Sequence, residues 1–118
     1  MNEHDNRRSC ARVEVEVWVE ERHGTGNMYL VMSANISEGG MFLDKTIPHP
    51  AGTLVRLKFF LPGTERPIAC LGEIVHPGTG QGQLGMGVRF VKMLPEDEIL
   101  VSRFVDQSTG RDMVITRN

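Results

Sequence analysis

A chain of 118 residues, 40% hydrophobic and 24% charged, fits one globular domain with an ordinary core and leaves little room for a second. Its formal charge of −2 speaks against a surface that holds a nucleic-acid polymer through many phosphates, so any anion site must be local. No apolar run approaches the roughly 20 residues of a membrane-spanning helix, and neither end carries a lipidation signal. Cys10 and Cys70 lie far apart without a CxxC context, and the polar start Met1-Asn2-Glu3-His4-Asp5 is no secretory leader. The expectation is a reduced, cytoplasmic, soluble protein.

Residues 1–12 are polar, end in Arg7-Arg8-Ser9-Cys10-Ala11-Arg12, and have neither helical nor strand periodicity, which predicts a flexible arm. From Val13 the pattern alternates. Val13, Val15, Val17 and Val19 share one face and Glu14, Glu16, Trp18 and Glu20 the other, as in a half-buried strand. The cluster His23 to Asn27 predicts a turn, and Met28 to Ile36 the returning strand of a hairpin. Ser37-Glu38-Gly39-Gly40 breaks that strand before the short apolar segment Met41-Phe42-Leu43. Two prolines keep Ile47 to Gly52 in a loop. Strand character returns over Leu54 to Leu61, Ile68 to His76 and Leu84 to Met93, the last two joined by a Gly-rich hairpin loop. After Pro95 and the acidic Glu96, Asp97 and Glu98, the positions Ile99, Leu100, Phe104 and Val105 recur at helical spacing. About six short strands with turns between them favour an all-β antiparallel barrel or sandwich over an alternating βαβ sheet, and the expectation is a small closed or nearly closed barrel capped by one C-terminal helix. The expected organisation is an arm over 1–12, a barrel with its helix over 13–107, and a polar tail over 108–118.

Two motifs bear on chemistry. Arg7-Arg8-x-x-x-Arg12 stands just before the first strand; guanidinium groups are planar forks that grip phosphate oxygens and match the O6/N7 edge of guanine. A solvated basic tail has the same composition. Asn35-Ile36-Ser37-Glu38-Gly39-Gly40 closes the second strand. There a carboxamide and a hydroxyl two residues apart project to one side of an extended chain, and Gly39 and Gly40 permit positive φ or a close backbone approach to a ligand. A plain turn in which Asn or Ser bonds its own backbone also fits.

Together the motifs resemble the signature of the PilZ domain family, RxxxR on an N-terminal arm followed after a hairpin by [DN]xSxxG. They stand here as Arg8-Ser9-Cys10-Ala11-Arg12 and Asn35-Ile36-Ser37-Glu38-Gly39-Gly40. Val13-Glu14-Val15, Gly52 to Leu57, Leu61-Pro62, Gly72 to Val75 and Gly85 to Phe90 are also similar to that family's segments, in the same order. The resemblance runs from about residue 7 to 105. It implies a six-stranded antiparallel PilZ-type barrel with a C-terminal helix, which binds cyclic di-GMP while the arm folds over the ligand. Arg8 and Arg12 would take phosphates and guanine edges, and Asn35, Ser37 and Gly40 would meet a guanine from the barrel surface. Arg7 stands where family members with arginine tend to bind an intercalated pair of ligand molecules. The family most often has Asp at the position of Asn35. A carboxylate accepts from both guanine N1–H and the 2-amino group, whereas a carboxamide offers one acceptor oxygen.

His4, His23, His49 and His76 have no metal-site spacing and are read as surface residues. Ser37 lacks a GxSxG elbow and an assignable base, and Gly85-Met86-Gly87 lies inside a strand pattern, so neither is a catalytic or dinucleotide signature. Arg89 reads as an exposed strand residue that would at most support the site. Met28, Met32, Met41, Met86 and Met93 read as core filler, and Trp18 as an exposed aromatic open to a partner. The resulting expectation is a receptor and adaptor, not an enzyme, with no metal or cofactor beyond its ligand. Cyclic di-GMP would order the arm and alter contact with a protein effector in motility, pilus or biofilm-type control. The competing expectation is a PilZ-like interaction module that works without nucleotide. A barrel for single-stranded nucleic acid ranks lower, because the chain lacks a stacking platform and a basic groove.

Overall fold

In the computed structural model, residues 11–77 and 84–109 are described. The valine face of the first strand turns inward as expected, with Val15 and Val19 buried, but the strand comes in two pieces. These are β1 (Val13–Glu14) and β2 (Trp18–Arg22), and both pair antiparallel with one edge of β3 (Met28–Ile36). From the pair Val13↔Ile36 to the pair Trp18↔Met32, the first strand advances five residues and β3 only four, so the piece between them bulges by one residue. Ser33 fills the bulge. Its buried hydroxyl donates to the Val15 carbonyl at 2.6 Å and accepts the Val17 N–H at 3.0 Å, and its own N–H donates to the Val17 carbonyl.

The remaining strands are β4 (Gly40–Asp44), β5 (Leu54–Phe59), β6 (Ile68–Pro77) and β7 (Gly85–Met93), followed by helix α1 (Pro95–Ser108). The antiparallel ring β2–β3–β4–β7–β6–β5 returns to β2, so six strands close a barrel and β1 extends one edge. Closure lets alternate residues of every strand meet in one interior. Ile36, Met41, Leu43, Leu57, Phe59, Ile68, Ile74 and Met86 are buried there, and α1 adds Val101 and Val105. The acidic first turn after Pro95 follows the expected helix start. Asp97, also buried, fixes the helix to the barrel by accepting from both Arg66 Nε and Nη2 at 3.0 Å and from the Ala69 N–H at 3.4 Å. No helix among the described residues is long and apolar enough to cross a membrane.

Several expectations need correction. Ile99 is exposed; the helix phase that meets the core runs Asp97, Val101, Val105, with Leu100 and Phe104 half-buried beside it. Of the methionines, Met41 and Met86 are core, but Met28 is exposed near the hairpin turn. His49 is not a plain surface residue, because its Nε2 lies 2.6 Å from Oε2 of the buried Glu21 and its ring packs against His23. Glu21 continues the parity of the valine face, so the strand places a carboxylate where the alternation calls for a fifth apolar group.

Candidate functional site

The inward positions of β3 run Val31, Ser33 and then Ile36. Strict alternation would bury residue 35. The pairing with β4 instead slips between Ser33↔Leu43 and Asn35↔Phe42, and this irregularity leaves the Asn35 carboxamide on the outer surface. Opposite it in β1 is Glu14, and two residues before Glu14, just ahead of β1, stands Arg12. Arg12 Nη1 donates to Asn35 Oδ1 at 2.7 Å. Thus the end of the RxxxR motif and the start of the NxSxGG motif, separated by 23 residues of chain, meet on one face of the barrel. Among the described residues, one lone pair of Oδ1 and four of the five guanidinium N–H groups remain to serve a third group, so the pair offers an acceptor beside a cluster of donors. Ala11 packs against the core just ahead of Arg12. Arg7 and Arg8 lie outside the described residues, as does the rest of the expected arm up to residue 10.

Ser37 and Gly40 are placed differently. Ser37 is buried; its hydroxyl accepts the Gly39 N–H at 3.2 Å and donates to the Gly40 carbonyl at 3.3 Å, while its backbone N–H reaches the same carbonyl at 2.8 Å. This is the self-bonded turn that the sequence also allowed. The hydroxyl does not share a face with the Asn35 carboxamide, because the chain leaves its extended course after Ile36. Neither Gly39 nor Gly40 has positive φ. Gly40 does serve a close approach, but to protein: it pairs with Arg89 of β7, and a Cβ on it would run into the Val88 carbonyl oxygen. The turn is held from two further sides, by the Phe90 N–H donating to the Gly39 carbonyl at 2.8 Å and by Ser102 Oγ of α1 donating to Glu38 at 3.2 Å.

Arg89 is exposed as expected, and its guanidinium is paired with Glu73 across β6 and β7. Ser33 was missed by the sequence reading. A serine in the inward phase of an otherwise apolar strand is the signal that could have revealed it. Among the described residues no group of three or more His, Cys, Asp or Glu side chains could hold a metal ion. Cys70 is buried, and its pKa is pushed up to about 12, first by desolvation and then by the neighbouring Asp97 carboxylate.

The fold has known counterparts. The chain superposes with a TM-score of 0.73 on the Bacillus subtilis inhibitor of motility MotI/DgrA, at 18% identity, covering 92% of this chain and 52% of that one. It therefore spans about half the length of that protein. A PilZ domain of CeSA from a cellulose-synthesizing bacterium superposes with a TM-score of 0.57 at 17% identity, covering 86% of this chain and 97% of that one. At these identities the superpositions speak to the fold alone. No curated protein sequence matches the chain. The family model of the PilZ domain matches residues 6–107, nearly the whole length and both motifs, and the chain belongs to the PilZ domain family.

Proposed function

We propose that this protein is a receptor for cyclic di-GMP that acts as an adaptor and not as an enzyme, its N-terminal arginines closing over the ligand and changing the surface offered to a protein partner. The observation that carries this reading is the 2.7 Å hydrogen bond between Arg12 and Asn35, which joins the two signature motifs at one point of the barrel surface. There the free lone pair of Asn35 Oδ1 suits guanine N1–H. The remaining donors of Arg12, with those of Arg7 and Arg8, suit guanine O6/N7 and the phosphates. Ser37 and Gly40 complete the guanine-facing end by setting the turn that follows Asn35. PilZ membership supports the cyclic di-GMP reading, with an output in motility, pilus or biofilm-type control.

Titration calorimetry with cyclic di-GMP tests the proposal. The parent should bind, and Arg8→Ala or Arg12→Ala should each weaken binding roughly 10- to 150-fold, the equivalent of losing one charge-assisted hydrogen bond. Parent-like titrations by both variants would place any ligand elsewhere. A parent that takes up no heat would favour the nucleotide-independent interaction module, a reading to which the commitment of Ser37 and Gly40 to the protein's own backbone already lends some weight.

A further inference from the structure

A cleft of about 850 Å³ lies on the outer barrel wall across β2, β5, β6 and β7, and it shares no residue with the Arg12 and Asn35 surface. Leu71 and Met93, both half-buried, lie in it with the exposed Leu94, and Arg22, Arg56, Lys58 and Lys92 surround them. Strand register puts these groups in rows: Arg22 is opposite Arg56, Arg56 opposite Leu71, and Leu71 opposite Lys92. Like charges directly opposite each other on neighbouring strands destabilise a sheet, so the Arg22 and Arg56 pair is a local cost that no ion pair among the described residues offsets. Glu20, opposite Lys58 in the register, is the one carboxylate lining the cleft, and among the described residues none of the four cations makes an ion pair within 4.0 Å. In a chain of net charge −2, four cations against one carboxylate around an apolar floor form a local positive field that suits carboxylates of a partner.

We infer that this cleft docks an acidic amphipathic helix of a protein partner. The inference gives a face and a chemistry to the partner in the adaptor reading and rests on that part of it; nucleotide binding enters nowhere. The barrel is closed, so β2, β5, β6 and β7 each have neighbours on both sides and offer no free edge to an added strand. A helix satisfies its own backbone and can lie on such a wall with only its side chains engaged. Crossing four strands spans three inter-strand spacings, roughly 14 Å, or about nine to ten helical residues. Apolar residues at i, i+3, i+4 and i+7 would meet Leu71, Met93 and Leu94, and flanking Asp or Glu would meet the cations. No aromatic side chain lines the cleft, which removes the platform that unpaired bases need, and its concavity keeps a flat bilayer from the floor.

The test uses the full chain and a fluorescein-labelled synthetic helix of about 14 residues with Leu at the i, i+3, i+4, i+7 positions and Glu elsewhere. A second peptide carries Lys in place of Glu. Fluorescence anisotropy should show the acidic peptide binding, more weakly as salt rises, and the basic peptide not binding. Arg56→Glu and Lys92→Glu should each weaken binding at least about tenfold, a loss of about 1.4 kcal/mol. Arg56→Glu also removes the Arg22 repulsion, so its thermal midpoint should equal or exceed the parent's, separating lost docking from lost folding. Arg12→Ala should leave peptide binding unchanged and Arg56→Glu should leave the cyclic di-GMP titration unchanged, so either proposal can fail alone. Equal binding of the two peptides, no acidic-peptide binding, or parent-like behaviour of both reversals would overturn the inference. So would a sedimenting dimer abolished by Arg56→Glu, which would assign the cleft to a second copy, or anionic vesicles held more tightly than the peptide.

Discussion

Replacing Ser33 with Ala probes the feature on which the candidate site is built. The hydroxyl satisfies the Val15 carbonyl and the Val17 N–H in a bulge where the backbone cannot satisfy both, and Ser33 has no exposed surface. Alanine leaves two polar backbone groups without partners. Each such group costs about 1–3 kcal/mol when it stays dry, and since Val17 is only half-buried, water can reach part of the gap. The expected loss is therefore about 2–4 kcal/mol, which for a domain of this size lowers the thermal midpoint by roughly 10–15 °C. Urea unfolding should show a lower midpoint with an unchanged m-value, and native-state hydrogen exchange should show early opening at Val15 and Val17. Because β1 follows Arg12 directly, the same variant should loosen the bond between Arg12 and Asn35 and weaken cyclic di-GMP uptake. A stability within about 0.5 kcal/mol of the parent would refute the argument, since that is the range of an ordinary surface substitution.

Gly40→Ala should destabilise by about 2–4 kcal/mol in urea unfolding, because the added Cβ meets the Val88 backbone and not a yielding side chain; a neutral outcome would show that β4 and β7 can part. In a Cys10→Ser background, Cys70 should resist iodoacetamide at pH 8 while folded and react once unfolded, since a pKa of about 12 leaves on the order of one thiolate in ten thousand. The neutral thiol is favoured in the fold, so its contribution to stability is full below the ordinary value of 9.0 and is lost as pH climbs from 9.0 towards about 12, a slope that Cys70→Ala should remove from a stability profile. Asn35→Asp should turn the Arg12 hydrogen bond into an ion pair and supply a second acceptor to guanine, so calorimetry should find cyclic di-GMP binding equal or tighter; a clear loss would mean that Asn35 donates to the ligand.

The strands, their order along the chain and the C-terminal helix were legible because alternation and turn chemistry are local and the sequence obeys both. The bulges were not. The valines continue their period through Val15 and Val17 without a break, and only the β3 register reveals the extra residue there. The same limit hid the fate of Ser37: two residues after Asn35 it belongs on the same face of an extended chain, but the chain turns, and the hydroxyl closes on Gly39 and Gly40. That Arg12 and Asn35 serve one ligand was implied by family resemblance and not by spacing, and their direct hydrogen bond was not foreseen, since contacts across 23 residues depend on register. Ile99 misled the helix reading because Asp97, a charged residue, leads the buried stripe through its pairing with Arg66.

The buried Glu21 and its partner His49 resolve an ambiguity that the valine repeat creates. Sliding a strand by one residue would turn its valines to solvent, an error that the core itself forbids. Sliding it by two would put valine where valine already was, and the interior would hardly register the difference. Glu21 removes that tolerance. In the observed frame, Val19↔Val31 and Glu21↔Tyr29, the Glu21 carboxyl group lies 2.6 Å from His49, and a two-residue shift would carry this buried polar group away from that partner. The buried carboxyl group of Glu21 thus marks the starting position of a strand whose apolar residues cannot tell one repeat from the next.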